Sequence, residues 1–142
     1  MMKFILHLMM IFMICFYVPE EEKTHYFKPP DQYKLKATYY NNTPAQGWGD
    51  GQITASGKRL YGKNVDKLRY VAMSRDMVKK YNPDAPFDFG DTIVVKGTKV
   101  FDGHWTVEDL MNKRYQKRID FLISKNKKVK FKAHSIVTIE KF

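Results

Sequence analysis

Apolar and polar positions alternate along this chain in short runs, and clusters of turn residues separate them. Leu35-Lys-Ala-Thr-Tyr-Tyr40 and Leu68-Arg-Tyr-Val-Ala-Met73 follow the period of two that marks a strand with one buried face. Gln52-Ile-Thr-Ala55, Gly103-His-Trp-Thr-Val107, Arg118 to Ile123 and His134 to Glu140 add four further candidates. Thr92-Ile-Val-Val95 is strongly β-branched, entered by a Gly90-Asp91 turn and left at Gly97. Ser74 is placed as an N-cap and predicts a short helix over 74–80, stopped by Asn82-Pro83 and Pro86. Several short strands with one small helix predict a closed barrel.

One segment supports two patterns. Val107, Leu110, Met111, Tyr115, Ile119 and Leu122 recur at three- and four-residue spacing, the period of an amphipathic helix. Such a helix would put Asp109 and Asp120 on its wet face, paired with nearby Lys or Arg and chemically inert. The barrel reading instead predicts a turn over Asn112-Lys-Arg114 between two strands. Asp120 is then flanked by Ile119 and by Phe121-Leu-Ile123, at a buried surface where ionisation is disfavoured. A carboxyl with a raised pKa suits general acid chemistry, and a neighbouring Asp109 would hold its proton in place. The opposing possibility is that Asp120 pairs with Arg118 or Arg114, which would lower its pKa and make it a poor acid.

Before the barrel, Phe4 to Val18 is almost wholly apolar and follows Lys3, so residues 1–18 read as a signal peptide or membrane anchor. A buried first strand is the alternative. Residues 19–32, with Glu20-Glu-Glu22 and Pro29-Pro30, read as a linker, and the globular domain occupies 33–142. The protein is therefore expected in the cell envelope or beyond it, with membrane attachment only through 1–18.

Composition narrows the chemistry. The single cysteine, Cys15, excludes an intramolecular disulfide, and the four histidines show no ligand spacing, so neither a metal nor another cofactor is expected. Net charge is +10, and nine Lys or Arg against one acid fall between Lys113 and Lys132. Such a run attracts a polyanion, or else is a solvated edge that blocks unwanted strand pairing. No nucleic-acid-binding motif accompanies it, so no specific nucleic-acid partner is expected. The chain is expected to act as a monomer.

Six elements in order carry a resemblance: Thr38-Tyr-Tyr40, Thr54-Ala-Ser-Gly57, Tyr70-Val-Ala-Met73, Phe89-Gly-Asp-Thr-Ile-Val-Val95, Val107-Glu-Asp109 and Arg118-Ile-Asp120. From about Lys36 to Ile123 the chain resembles the 3D, or three-aspartate, domain. That domain is a six-stranded double-psi β-barrel of membrane-bound lytic transglycosylases and small muralytic proteins. The resemblance implies a mainly β fold with one or two short helices, and cleavage of peptidoglycan glycan strands to a 1,6-anhydro product. It places the catalytic acid/base on Asp120, the middle aspartate on Asp109 and a groove hydroxyl on Thr54. Tyr39, Trp48 and Trp105 are candidates to stack on sugars, though burial in a small barrel is the commoner role of such rings. Lys113 and Arg114 are candidates to contact the substrate. The chain departs from the family pattern at Ser74, where the first aspartate is expected, with Asp76 the nearest carboxylate. It departs again in the bulky, basic loop Leu110 to Lys117, and a barrel without a second domain is expected. A non-catalytic barrel binding wall glycan or an anionic polymer through the basic run is the competing expectation.

Overall fold

The computed structural model describes residues 31–46 and 49–142, and the protein there is mainly β. The period-two runs form six strands: β1 (Gln32–Tyr40), β2 (Tyr70–Met73), β3 (Thr92–Lys96), β4 (Gly103–Leu110), β5 (Arg118–Leu122) and β6 (Ser135–Lys141). They are ordered β1-β5-β2-β4-β3-β6, and β6 pairs back onto β1, so the mixed sheet closes into a barrel. The pairs β1 with β5 and β2 with β4 are parallel, and the other four are antiparallel. A hairpin cannot join parallel neighbours. Two long excursions, 41–69 between β1 and β2 and 74–91 between β2 and β3, each carry the chain past one intervening strand position of the sheet.

Strand parity decides which side chains fill the barrel. Leu35 and Ala37 of β1, Val71 and Met73 of β2, Ile119 and Phe121 of β5 and Val137 and Ile139 of β6 join one buried cluster with residues of β3 and β4. Phe101, in the turn before β4, stacks on Phe121 with ring centroids 4.4 Å apart. Trp105 lies in the same cluster, and its indole N–H donates to the Phe101 carbonyl at 2.6 Å. Truncating Phe121 to alanine would therefore cost about 3–5 kcal/mol, as for other large core residues. Its burial also locks the strand that carries Asp120.

The opposite parity builds a second, smaller cluster on the outside of the sheet. Tyr40, Ala72 and Leu122 pack there with Met111, and the 41–69 excursion covers them with Leu60 and Val65. This excursion is held by a close approach at Gly51, where an added Cβ would lie 2.7 Å from the Thr43 carbonyl oxygen at a φ of +72°. The excursion ends in α1 (Val65–Leu68), capped by the Asn64 side chain accepting from the Asp66 N–H. The outer face of β1, β5 and β2 is thus roofed without being sealed.

Several sequence expectations change. Gln52–Ala55 is not a strand: only an isolated bridge, Ile53 to Arg59, forms there. The helix expected over 74–80 is a single 3-10 turn, Arg75–Met77, because the Ser74 hydroxyl is engaged elsewhere. Leu68 belongs to α1, so β2 starts only at Tyr70. β4 runs through Asp109 to Leu110, past its expected end at Val107. The alternative of one helix across 107–122 does not form. Among the described residues no helix is long and apolar enough to cross a membrane. Residues 1–18 and most of the 19–32 linker lie outside the described residues.

Candidate active site

Two aspartates come together on the outer face through the sheet register. Thr38 of β1 pairs with Asp120 of β5, Asp120 pairs with Ala72 of β2, and Ala72 pairs with Asp109 of β4. These four residues form one row across four adjacent strands. With strands about 4.8 Å apart, the two aspartate Cα atoms lie about 10 Å apart with only Ala72 between them. Ala72 is itself buried, packed with Tyr40, Leu122 and Met111 under the 41–69 excursion, while the two aspartates on either side of it stay partly exposed.

A β-bulge puts Asp109 in that row. Val71 pairs with Val107, yet the next residue, Ala72, pairs with Asp109, so Glu108 is the extra residue of β4. Without the bulge Glu108 would face Ala72, and Asp109 would turn toward the barrel interior. Glu108 is instead 4 % exposed and accepts a short hydrogen bond from the Ser56 hydroxyl. The Ser56 N–H donates to the Glu108 carbonyl at 3.1 Å, which clasps the 54–58 turn onto the bulge.

The two carboxylates have different surroundings. Asp109 accepts from the Tyr40 hydroxyl at 2.8 Å through Oδ2. Its Oδ1 accepts from the Ala55 and Leu110 N–H groups, each at 2.9 Å. Burial, together with the neighbouring Asp109 charge, pushes the Tyr40 phenol well above its usual pKa, so it stays a donor. Asp120 accepts one hydrogen bond, from the Thr38 hydroxyl at 2.8 Å. Burial raises its pKa to about 6; the Thr38 bond opposes this, the Asp109 charge adds to it, and Arg118 opposes it. Asp120 is half-buried, so part of the residue remains exposed on the outer face. A carboxyl that holds its proton to about pH 6 can act as a general acid near neutrality.

Both arginines that could have quenched this acid point elsewhere. The Arg118 guanidinium lies over the Tyr115 ring, 4.8 Å from its centroid, with Nη1 3.4 Å from His134 Nδ1. Arg114 also lies 4.8 Å over that ring and donates to the Tyr115 hydroxyl at 2.8 Å. Among the described residues neither forms an ion pair with Asp120.

The remaining candidates take varied places. Thr54 is buried, and its hydroxyl accepts from the Lys58 N–H at 3.0 Å, so it shapes the turn whose Ala55 N–H holds Asp109. The buried Ser74 hydroxyl accepts from the Arg118 N–H at 3.0 Å and donates to the Arg118 carbonyl at 3.3 Å. Asp76 accepts from the Lys117 N–H at 3.0 Å, at a residue with the left-handed φ of +50°. Ser74 and Asp76 thus fix the entry to β5 just before Asp120. Tyr39 has core parity and is 41 % exposed at the barrel end, against Phe101 and Phe131. Trp105, expected as a possible sugar platform, is 3 % exposed in the core and cannot stack on a ligand. Lys113 is exposed on the turn before β5, and Trp48 lies outside the described residues.

Sequence reasoning missed Thr38, Tyr40, Ser56 and Glu108. Parity could have found the first two, since Leu35 and Ala37 in the core send Thr38 and Tyr40 to the Asp120 face. No family model matches the chain, and neither does any curated protein or solved structure.

Proposed function

We propose that this protein is an exported lytic transglycosylase that breaks the glycosidic bond between the two alternating sugars of peptidoglycan. On this reading the barrel is of the double-psi type and belongs to the 3D-domain family that the sequence resembles. The observation that carries the proposal is Asp120, a half-buried carboxyl that stays protonated up to about pH 6 in the same row across the sheet as Asp109.

In the first step the Asp120 carboxyl gives its proton to the glycosidic oxygen, and the bond from that oxygen to the anomeric carbon breaks. The carboxylate left behind then takes the proton of the muramoyl 6-hydroxyl. That oxygen attacks the anomeric carbon and closes the 1,6-anhydro ring. No water is consumed, and the proton is returned to Asp120. Two-carboxylate glycosidases need a second free carboxylate as base or nucleophile. Asp109 fits that role poorly, because three hydrogen bonds already engage its two oxygens. Its charge adds to the burial that keeps Asp120 protonated and steadies positive charge at the anomeric carbon. The substrate supplies the nucleophile.

A second reading, a non-catalytic module for anionic wall polymer, is favoured by the exposure of Lys125, Lys128, Lys130 and Lys132 along one segment. Digestion of purified cell walls separates the two. The wild-type chain should release soluble glycan and Asp120→Asn should not. Salt-sensitive cosedimentation with intact wall and no release by either protein would leave the binding module.

A further inference from the structure

Arg114, on the turn between β4 and β5, and Arg118, the first residue of β5, are held by one aromatic ring. The Arg114 and Arg118 guanidiniums both lie 4.8 Å from the centroid of the Tyr115 ring. Tyr115 packs against the outer cluster that contains Tyr40, Ala72 and Leu122, so the ring itself is anchored. The Tyr115 N–H donates to the Asn112 carbonyl at 3.0 Å and the Arg114 N–H to the Asn112 side chain at 3.1 Å, which pins the turn. One nitrogen of each guanidinium is engaged, Arg114 Nη2 by the Tyr115 hydroxyl and Arg118 Nη1 by His134, and the stacking itself uses none of the other N–H donors.

Those donors have no acid to meet. Among the described residues the ion pairs engage Lys58, Lys96, Lys127 and Lys141, and neither arginine lies within 4.0 Å of a carboxylate. Arg118 has the same strand parity as Asp120, two residues earlier, which is about 7 Å along β5. A guanidinium on the same strand face as Asp120, with a second held on the same ring, offers N–H donors to a planar, two-oxygen anion.

We infer that Arg114 and Arg118, held on Tyr115, form a subsite for a carboxylate carried by the glycan next to the bond that Asp120 cleaves. This inference rests on the glycan-cleaving reading for its substrate and deepens it. The charged group anchors the glycan in one direction, so that the scissile oxygen faces Asp120 and the chain cannot bind reversed. Cleavage is then selective for glycans bearing free acids.

The test is binding, measured apart from cleavage. The full chain carrying Asp120→Asn is titrated by calorimetry with a wall tetrasaccharide bearing free lactyl carboxylates, and with its methyl ester. The acid should bind about tenfold more tightly than the ester, the size expected for one charge-assisted contact. Adding Arg114→Gln or Arg118→Gln should bring the ratio toward one. Arg114 is exposed on its turn, so that variant reads the subsite even if Arg118→Gln disturbs the barrel. Equal affinity for acid and ester, no binding of either, a preference that survives both substitutions, or equally effective competition by inorganic phosphate would overturn the inference. A chain that prefers the acid yet leaves walls uncut keeps the subsite and loses the transglycosylase. One that cuts walls without the preference does the reverse.

Discussion

Replacing Asp120 by asparagine should stabilise the protein at neutral pH and have little effect in acid. The fold holds this carboxyl at a pKa of about 6, against the ordinary 3.8, mainly because burial penalises the charge. At 1.36 kcal/mol per unit, the gap means that the ionised form costs about 3 kcal/mol of folding stability. The folded state binds the proton more tightly than the unfolded chain. The cost is therefore absent below about pH 4, grows as pH rises from about 4 to 6, and is fully present above about 6. Asparagine carries no charge, and its amide oxygen can still accept from the Thr38 hydroxyl, so the variant avoids the cost and keeps the contact. Thermal unfolding of both full chains, followed by circular dichroism at about pH 3.5 and about pH 7.5, measures the difference. The melting-temperature gap in favour of the variant should widen by about 5–10 °C between the acid and the neutral condition. An unchanged gap, or a wild type that gains on the variant as pH rises, would refute the raised pKa and the general acid built on it.

Three other outcomes follow from single contacts. Thr38→Val removes the hydrogen bond that opposes the rise of Asp120, so the carboxyl should titrate roughly one pH unit higher, as read by carbon NMR of the labelled side chain; a downward or absent shift contradicts the assignment. Ser74→Ala leaves the Arg118 N–H without its side-chain acceptor, and the urea midpoint should fall by the equivalent of about 1–3 kcal/mol; an unchanged midpoint would show that the clasp does not hold β5. Tyr40→Phe takes one donor from Asp109 and leaves it two backbone donors, at a cost of about 1–2 kcal/mol in the same assay. A variant as stable as wild type would argue that the phenol contributes nothing net.

Much of this site was legible in the sequence because it rests on strand parity. Ile119, Phe121 and Ile123 enter the core, so the alternate residues Arg118, Asp120 and Leu122 face outward, as a period of two requires. Asp109 was a different case. Its place depends on the bulge at Glu108, which reverses parity for the end of β4, and no alternation pattern announces a single extra residue. Its hydrogen-bond donors come from Tyr40 and Ala55, 69 and 54 residues away in sequence, a distance that local reading cannot span. The helical period across 107–122 arose because two strands of opposite direction in the barrel, joined by a seven-residue turn segment, happen to place apolar residues at mixed intervals. The expected cap at Ser74 failed for a tertiary reason: its hydroxyl is better satisfied by both backbone groups of Arg118 than by a helix end. The Tyr39 and Tyr40 pair shows the cost of reading motifs without parity, since the ring chosen for the site lies on the core side and its neighbour holds Asp109.

In the proposed mechanism Asp120 drives cleavage with the substrate as its own nucleophile. Cell walls digested in heavy-oxygen water and read by mass spectrometry test this. The wild-type chain should form 1,6-anhydro ends that contain no heavy oxygen, and Asp120→Asn should form none. Reducing ends that carry heavy oxygen would make the protein a hydrolase, and an uncut wall would leave the two aspartates without a catalytic role.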